Sequence, residues 1–173
     1  MRAFGEHKKP VRHVVVARNG EWFATSNSEG RVIVRTMTGE VRRELDVPWH
    51  SEPPDGRFDG VTELVATTDS RSLITGGIDR AIRVWDVETG EVERQLDGHE
   101  AFITAMQISG DGRVLVSADE TSRALVWDLV SDTSKERMFD PDGQTGFDNH
   151  IQTVDVSHDG KDSAKGTTLR IGD

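Results

Sequence analysis

The residues best equipped for chemistry in this chain are His99, Ser117 and Asp119, an imidazole, a hydroxyl and a carboxylate held in one short segment. In a hydrolase such a trio moves a proton from hydroxyl to imidazole while the carboxylate fixes the ring's tautomer. That chemistry also requires a strained, exposed nucleophile with oxyanion donors, and no Gly-x-Ser-x-Gly elbow occurs here. Asp140, Asp142 and Asp148 invite comparison with a calcium loop, but they lack its spacing and its central glycine. The six histidines have no metal-ligand spacing, and the absence of cysteine removes thiolate zinc sites, disulfides and cysteine nucleophiles. The expectation is a protein without catalysis, metal or cofactor.

The bulk of the sequence narrows the partners. Acidic residues outnumber basic ones 31 to 21, for a net charge of −10. Such a surface repels phosphate backbones and anionic lipid. The one basic cluster, Lys8 and Lys9 beside Arg12, reads as a solvated turn. No apolar leader and no run of 18 apolar residues occurs, so the expectation is a soluble, cytoplasmic protein that binds neither nucleic acid nor membrane. A chain of 173 residues suits one domain with a substantial core.

What must position these residues is a repeat. Leu73 to Asp86 aligns without gaps on Leu115 to Asp128, so that Val84-Trp85-Asp86 falls on Val126-Trp127-Asp128, 42 residues further on. Phe23-Ala24-Thr25 and Val32 to Thr36 form a weaker copy, 92 residues before the third. A fourth begins at Ile151, which aligns with Ile103 at an offset of 48, and ends in Thr168 to Asp173 with glycine in place of tryptophan. Within each copy, short alternating β runs are separated by Gly-Asp-Gly-like turns and no helical periodicity intervenes. A period of about 40 residues holding about four strands predicts blades that cover their apolar faces only by stacking on neighbours.

Through Val84-Trp85-Asp86, Val126-Trp127-Asp128, Gly98-His99 and Asp79, the sequence resembles the WD-repeat (WD40) β-propeller family over nearly its whole length. The resemblance implies an all-β fold of four repeats, each ordered d-a-b-c. It places blades at about 11–47, 61–97, 101–139 and 150–173, the last completed by an N-terminal strand from residues 1–6. It also implies a hydrogen-bonded chain of histidine, Ser or Thr, aspartate and tryptophan in each blade. By position the third repeat offers His99, Ser117 and Trp127, with Thr121 where the aspartate belongs. The second offers Thr75, Asp79 and Trp85 without a clear histidine, since Arg57 stands in its place and His50 lies in a longer loop. The first offers His7, Thr25 and Glu29, with Arg35 replacing tryptophan.

Four blades are few for a ring of this family, and an open arc leaves apolar faces in water. Three closures are expected to compete: an eight-bladed ring of two chains with exchanged N-terminal strands, a strained four-bladed ring, or part of a longer propeller. The long connections before the second and fourth repeats carry related text, Pro54-Asp55-Gly56 and Pro141-Asp142-Gly143. In the family these connections lie on the face where partners dock. Trp49, Phe58, Arg80, Glu120, Phe139 and Phe147 are therefore the candidate contacts of a protein-interaction scaffold, aromatics and arginines being frequent hot spots. A half of a larger regulatory propeller is the alternative function, and a hydrolase the remote one.

Overall fold

In the computed structural model, residues 7, 9–27, 29–48, 60–121, 123–131, 153–156, 162–164 and 168–172 are described. All elements among them are strands. The first unit comprises β1 (Val11–Val16), β2 (Trp22–Asn27), β3 (Val32–Thr36) and β4 (Val41–Leu45). The second comprises β5 (Val61–Ala66), β6 (Ser72–Gly77), β7 (Ile82–Asp86) and β8 (Val92–Leu96). Each is a four-stranded antiparallel meander in chain order. The third unit has β9 (Ile103–Ile108), β10 (Val114–Asp119) and β11 (Ala124–Asp128) in the same order.

Local chemistry repeats as regularly as the strands. In the first turn of each unit the donors Gly20, Ser70 and Gly112 reach back to the carbonyls of Ala17, Thr67 and Ser109, each at 2.9 Å. All three adopt positive φ, which glycine accepts at no steric cost and Ser70 does not. In the same turns the side chains of Asn19, Asp69 and Asp111 accept from the backbone N–H two residues on, at 3.0 to 3.1 Å. This Asx geometry closes a two-strand connection and holds the register of the strands on either side. The aspartate of each Trp-Asp pair serves another turn: Asp86 accepts from the N–H of Glu88 and Thr89, and Asp128 from Val130 and Ser131. Those backbone bonds, that of Thr89 foremost, hold the Asp86 carboxyl below the usual carboxylate range.

The units stack in sequence order, β1 beside β5, β5 beside β9 and β9 beside β12 (Thr153–Val156). Ala24, Val32, Val34 and Trp22 of the first unit share a core with Leu64, Leu73 and Trp85 of the second. Ile74, Ile82 and Val84 of the second share one with Met106, Leu115 and Trp127 of the third. Ala105, Val116 and Ala124 then meet Val154 and Val156. The stack curves rather than running straight, because Arg18 in the first unit's turn donates to the Gly110 carbonyl of the third, 3.1 Å away, past the turn of the second. At the opposite end, the backbones of Gly30 and Gly60 approach so closely that a Cβ on Gly60 would lie 2.1 Å from the Gly30 Cα. Only glycine fits there.

The last sheet departs from the expected a-b-c meander. Its order is β12, β14 (Thr168–Gly172), β13 (Asp162–Ala164), with β12 parallel to β14. Asp162-Ser163-Ala164 is three residues long and has no β-branched apolar residue, so it is a weak competitor for the place beside β12. Thr168-Leu169-Arg170-Ile171 takes that place, and β13 pairs on its outer side as the crossover between parallel neighbours. The expected N-terminal closing strand, residues 1–6, lies outside the described residues.

Candidate functional site

The second and third units place a tryptophan on their third strand, where antiparallel pairing sets it against Leu73 or Leu115, two residues before the hydroxyl of Thr75 or Ser117 on the second strand. In the third unit the indole Nε1–H of Trp127 donates to Ser117 Oγ at 2.7 Å. Ser117 Oγ lies 2.6 Å from His99 Nε2, and His99 Nδ1 lies 2.9 Å from Asp119 Oδ2. The order Trp, Ser, His, Asp satisfies every group if Ser117 donates to Nε2 and Nδ1–H donates to the carboxylate. The other carboxylate oxygen of Asp119 accepts from the backbone N–H of Thr121 and Arg123, closing the β10–β11 turn. The aspartate of this chain is therefore Asp119 and not a residue at position 121. Thr121 hydrogen-bonds the same carboxylate through its own hydroxyl, 2.6 Å away.

Ser117 and Asp119 are 0% exposed, and the His99 side chain is equally sealed. The arrangement has the connectivity of a proton-relay triad, but its serine is buried and the serine oxygen already accepts from Trp127. Its chemical capacity is to rigidify, since buried polar groups that are all satisfied lock one arrangement of the strands around them.

The other units hold shortened versions. In the second, Trp85 Nε1–H donates to Thr75 Oγ1 at 2.9 Å. Gly77 occupies the position equivalent to Asp119, where a Cβ would lie 2.7 Å from the Gly60 carbonyl oxygen. The carboxylate has moved to Asp79, which accepts from the Ala81 N–H and forms a short ion pair with Arg83, both side chains nearly buried. In the first unit, His7 Nε2 lies 2.7 Å from Thr25 Oγ1, while Asn27 fills the Asp119 position and caps its turn by accepting from Glu29 and Arg31. Among the described residues His7 Nδ1 has no hydrogen-bond partner, the Asn27 side-chain oxygen being spent on the turn. Burial, then Arg31 and Arg35, lowers the His7 pKa. Glu29 is in the turn, facing Lys9 at 3.6 Å, and Arg35 donates to the Gly39 carbonyl where the second and third units carry indoles.

Of the six contact candidates, Trp49, Phe58, Phe139 and Phe147 lie outside the described residues. Arg80 is exposed at φ 67° in the β6–β7 turn. Glu120 is half-buried in the equivalent β10–β11 turn, its N–H donating to the Phe102 carbonyl. The meander places both turns at the end of the molecule where one unit connects to the next. A feature with no signal in the repeat is Glu63 on β5, in a groove between the innermost strands also lined by Val16, Arg18 and Gln107. Burial pushes its carboxyl up to about 7. Among the described residues, no group of three or more His, Asp or Glu side chains is placed to hold a metal ion. No helix among them is long and apolar enough to cross a membrane.

Comparison with known proteins agrees with this geometry. Residues 53–86 and 90–128 match the family model described as WD domain, G-beta repeat. The chain is 30% identical over 98 residues to autophagy-related protein 16 of Arabidopsis thaliana, across 57% of this chain and 18% of that protein. It is 38% identical over 79 residues to nuclear distribution protein PAC1 of Arthroderma otae, across 44% of this chain and 17% of that one. It spans less than a fifth of the length of these relatives. Among solved structures, it superimposes on the WD40 repeats of RRP9 with a TM-score of 0.70 at 16% identity, covering 82% of this chain and 42% of that chain.

Proposed function

We infer that this chain, which belongs to the WD-repeat family, is a non-catalytic platform on which other proteins or peptides assemble. The observation that carries this reading is the state of its Ser-His-Asp constellation, which is sealed and spent on a tryptophan. The family is in general non-catalytic, and a scaffold needs what the repeats provide: rigid blades whose turns present side chains at one end. The docking surface is the end bearing Arg80 and Glu120, together with the connections that carry Trp49, Phe58, Phe139 and Phe147. Calcium and nucleic acid have no part in it.

A second reading, part of a larger regulatory propeller, is favoured by the fraction of its relatives and structural neighbours that the chain spans. Both readings share the docking surface, which peptide selection tests. Peptides enriched against the protein from a random display library are expected to lose about tenfold or more in affinity for Arg80→Glu or Phe58→Ala. The melting temperature should stay unchanged. Affinity that is unaltered for every peptide in both variants contradicts the assignment of this face.

A further inference from the structure

Glu63 belongs neither to the blade network nor to the docking end, yet it lines a groove between the innermost strands. Its strand β5 packs against β1, β2, β6 and β9. None of these four strands carries a carboxylate, and their only charged or titratable side chains are Arg12 and His13 of β1. Arg12 is exposed, and burial, then Arg12, lowers the His13 pKa, so that imidazole is neutral around pH 7. Arg18, just beyond β1, also lines the groove, but its guanidinium donates to the Gly110 carbonyl at 3.1 Å. Among the described residues the Glu63 carboxyl has no cation set against it, and burial alone displaces its titration. A carboxylate withdrawn from water without a counter-charge is costly to ionise.

The groove has the dimensions of a small binding site. Its volume is about 320 Å³, at the lower end of the range for ligand clefts. It follows β5 from Glu63 to Thr67 and Thr68 in the β5–β6 turn, with Val15, Ala66, Met106 and Ile108 as apolar wall and the Gln107 amide as a polar one. In the meander, the β5–β6 turn lies at the end of β6 opposite the β6–β7 turn that bears Arg80, so the groove runs away from the docking end. We propose that this groove is a binding site for a primary ammonium group carried on an alkyl chain, with the Glu63 carboxylate as counter-charge and the apolar wall against the chain. The uncompensated carboxyl calls for a cation, and a net charge of −10 draws cations to the protein. The three donors of a compact ammonium suit one carboxylate and the Gln107 amide oxygen, whereas the five of a guanidinium exceed what these two side chains accept. An alkyl stem buries well along such a wall while its charged head stays on the acceptor. Free alkylamines and the lysine side chain of another protein both carry this chemistry.

The test is a titration of the 173-residue protein followed through its assigned methyl resonances at pH 8. There Glu63, its carboxyl pushed up to about 7 by burial, is ionised, and alkylamines remain protonated. The probes are n-pentylamine and the blocked lysine Nα-acetyl-lysine methyl amide. The Ala66, Met106 and Ile108 methyls are expected to shift and to saturate with a dissociation constant of about 1–10 mM for n-pentylamine, the affinity of one small group. Glu63→Gln should weaken this about tenfold or more, whereas Glu40→Gln, at an exposed carboxylate in the β3–β4 turn, should respond as the parent does. The uncharged n-pentanol should leave the methyls unmoved over the same range. A response to both amines supports the site with a protein lysine as its source, and a response to n-pentylamine alone supports it with free amines as the source. Methyls that do not move with either amine overturn the proposal, as does an undiminished response in folded Glu63→Gln or an equal response of the parent to n-pentanol. None of these outcomes depends on peptide affinity at the docking end, so failure here and failure of the scaffold reading are distinguishable.

Discussion

At the scale of single residues, the same three side chains that suggest hydrolysis are the ones that hold a blade together. What separates the two roles is the fourth group. Trp127 donates to Ser117 Oγ from 2.7 Å, and the whole chain of bonds is buried, so the hydroxyl has a structural partner and no path to a substrate. Ser117→Ala leaves the indole N–H and the imidazole Nε2 as buried orphans, which costs about 2–3 kcal/mol. Denaturant titration should show that loss, with the urea slope unchanged. Ser117 and Trp127 were legible in the sequence because the 42-residue offset carries them onto Thr75 and Trp85, and His99 because the 92-residue offset carries it onto His7. Asp119 was not, because the same offset sets Asp79 against Thr121, while the second unit has lost its carboxylate at position 77 to the close approach of Gly60. A position-by-position reading therefore follows the displaced Asp79, whereas the network follows the turn that a carboxylate or amide must cap.

At the scale of elements, alternation of apolar and polar residues made the inner and middle strands legible, since most of them bury a face against a neighbouring unit, whereas the outer strands β4 and β8 bury only Leu45 and Leu96. The last sheet was not legible, because its order depends on a competition between two weak strands that periodicity cannot rank. Glu63 shows a comparable limit. It stands at the position of His13 and Ala105 in the other units, so nothing in the pattern marks it, yet its place on an inner strand raises its pKa to about 7. Its unfolded value is near 4.5. The folded state therefore holds the proton more tightly between those pH values, and this contribution to stability, full below about 4.5, is lost as pH rises through 7. Glu63→Gln removes the penalty on the charged form. Thermal melts should show the variant more stable than the parent by about 1–2 kcal/mol at pH 8, an amount that allows for the partial exposure of the group, and equal to it at pH 4.

At the scale of the whole molecule, the period alone predicts that the units shelter one another in sequence around an axis, and the three shared cores follow that order. How the ring closes was not legible, because closure depends on surfaces that local patterns do not pair; it took the exposure of Val14 and Val16 to show which face stands open. The stacking itself is most directly tested by nuclear Overhauser contacts of assigned side chains across unit boundaries. A Cβ on Gly76 would lie 2.9 Å from Met106 Sδ, so β6 and β9 touch at that point. The Met106 methyl should therefore give contacts to the Gly76 α-protons and to Ile74, and Leu64 should give contacts to Ala24 and Val34. Contacts that join Met106 to β2 and β3 while missing β6, as in two sheets laid face to face, contradict the radial stack.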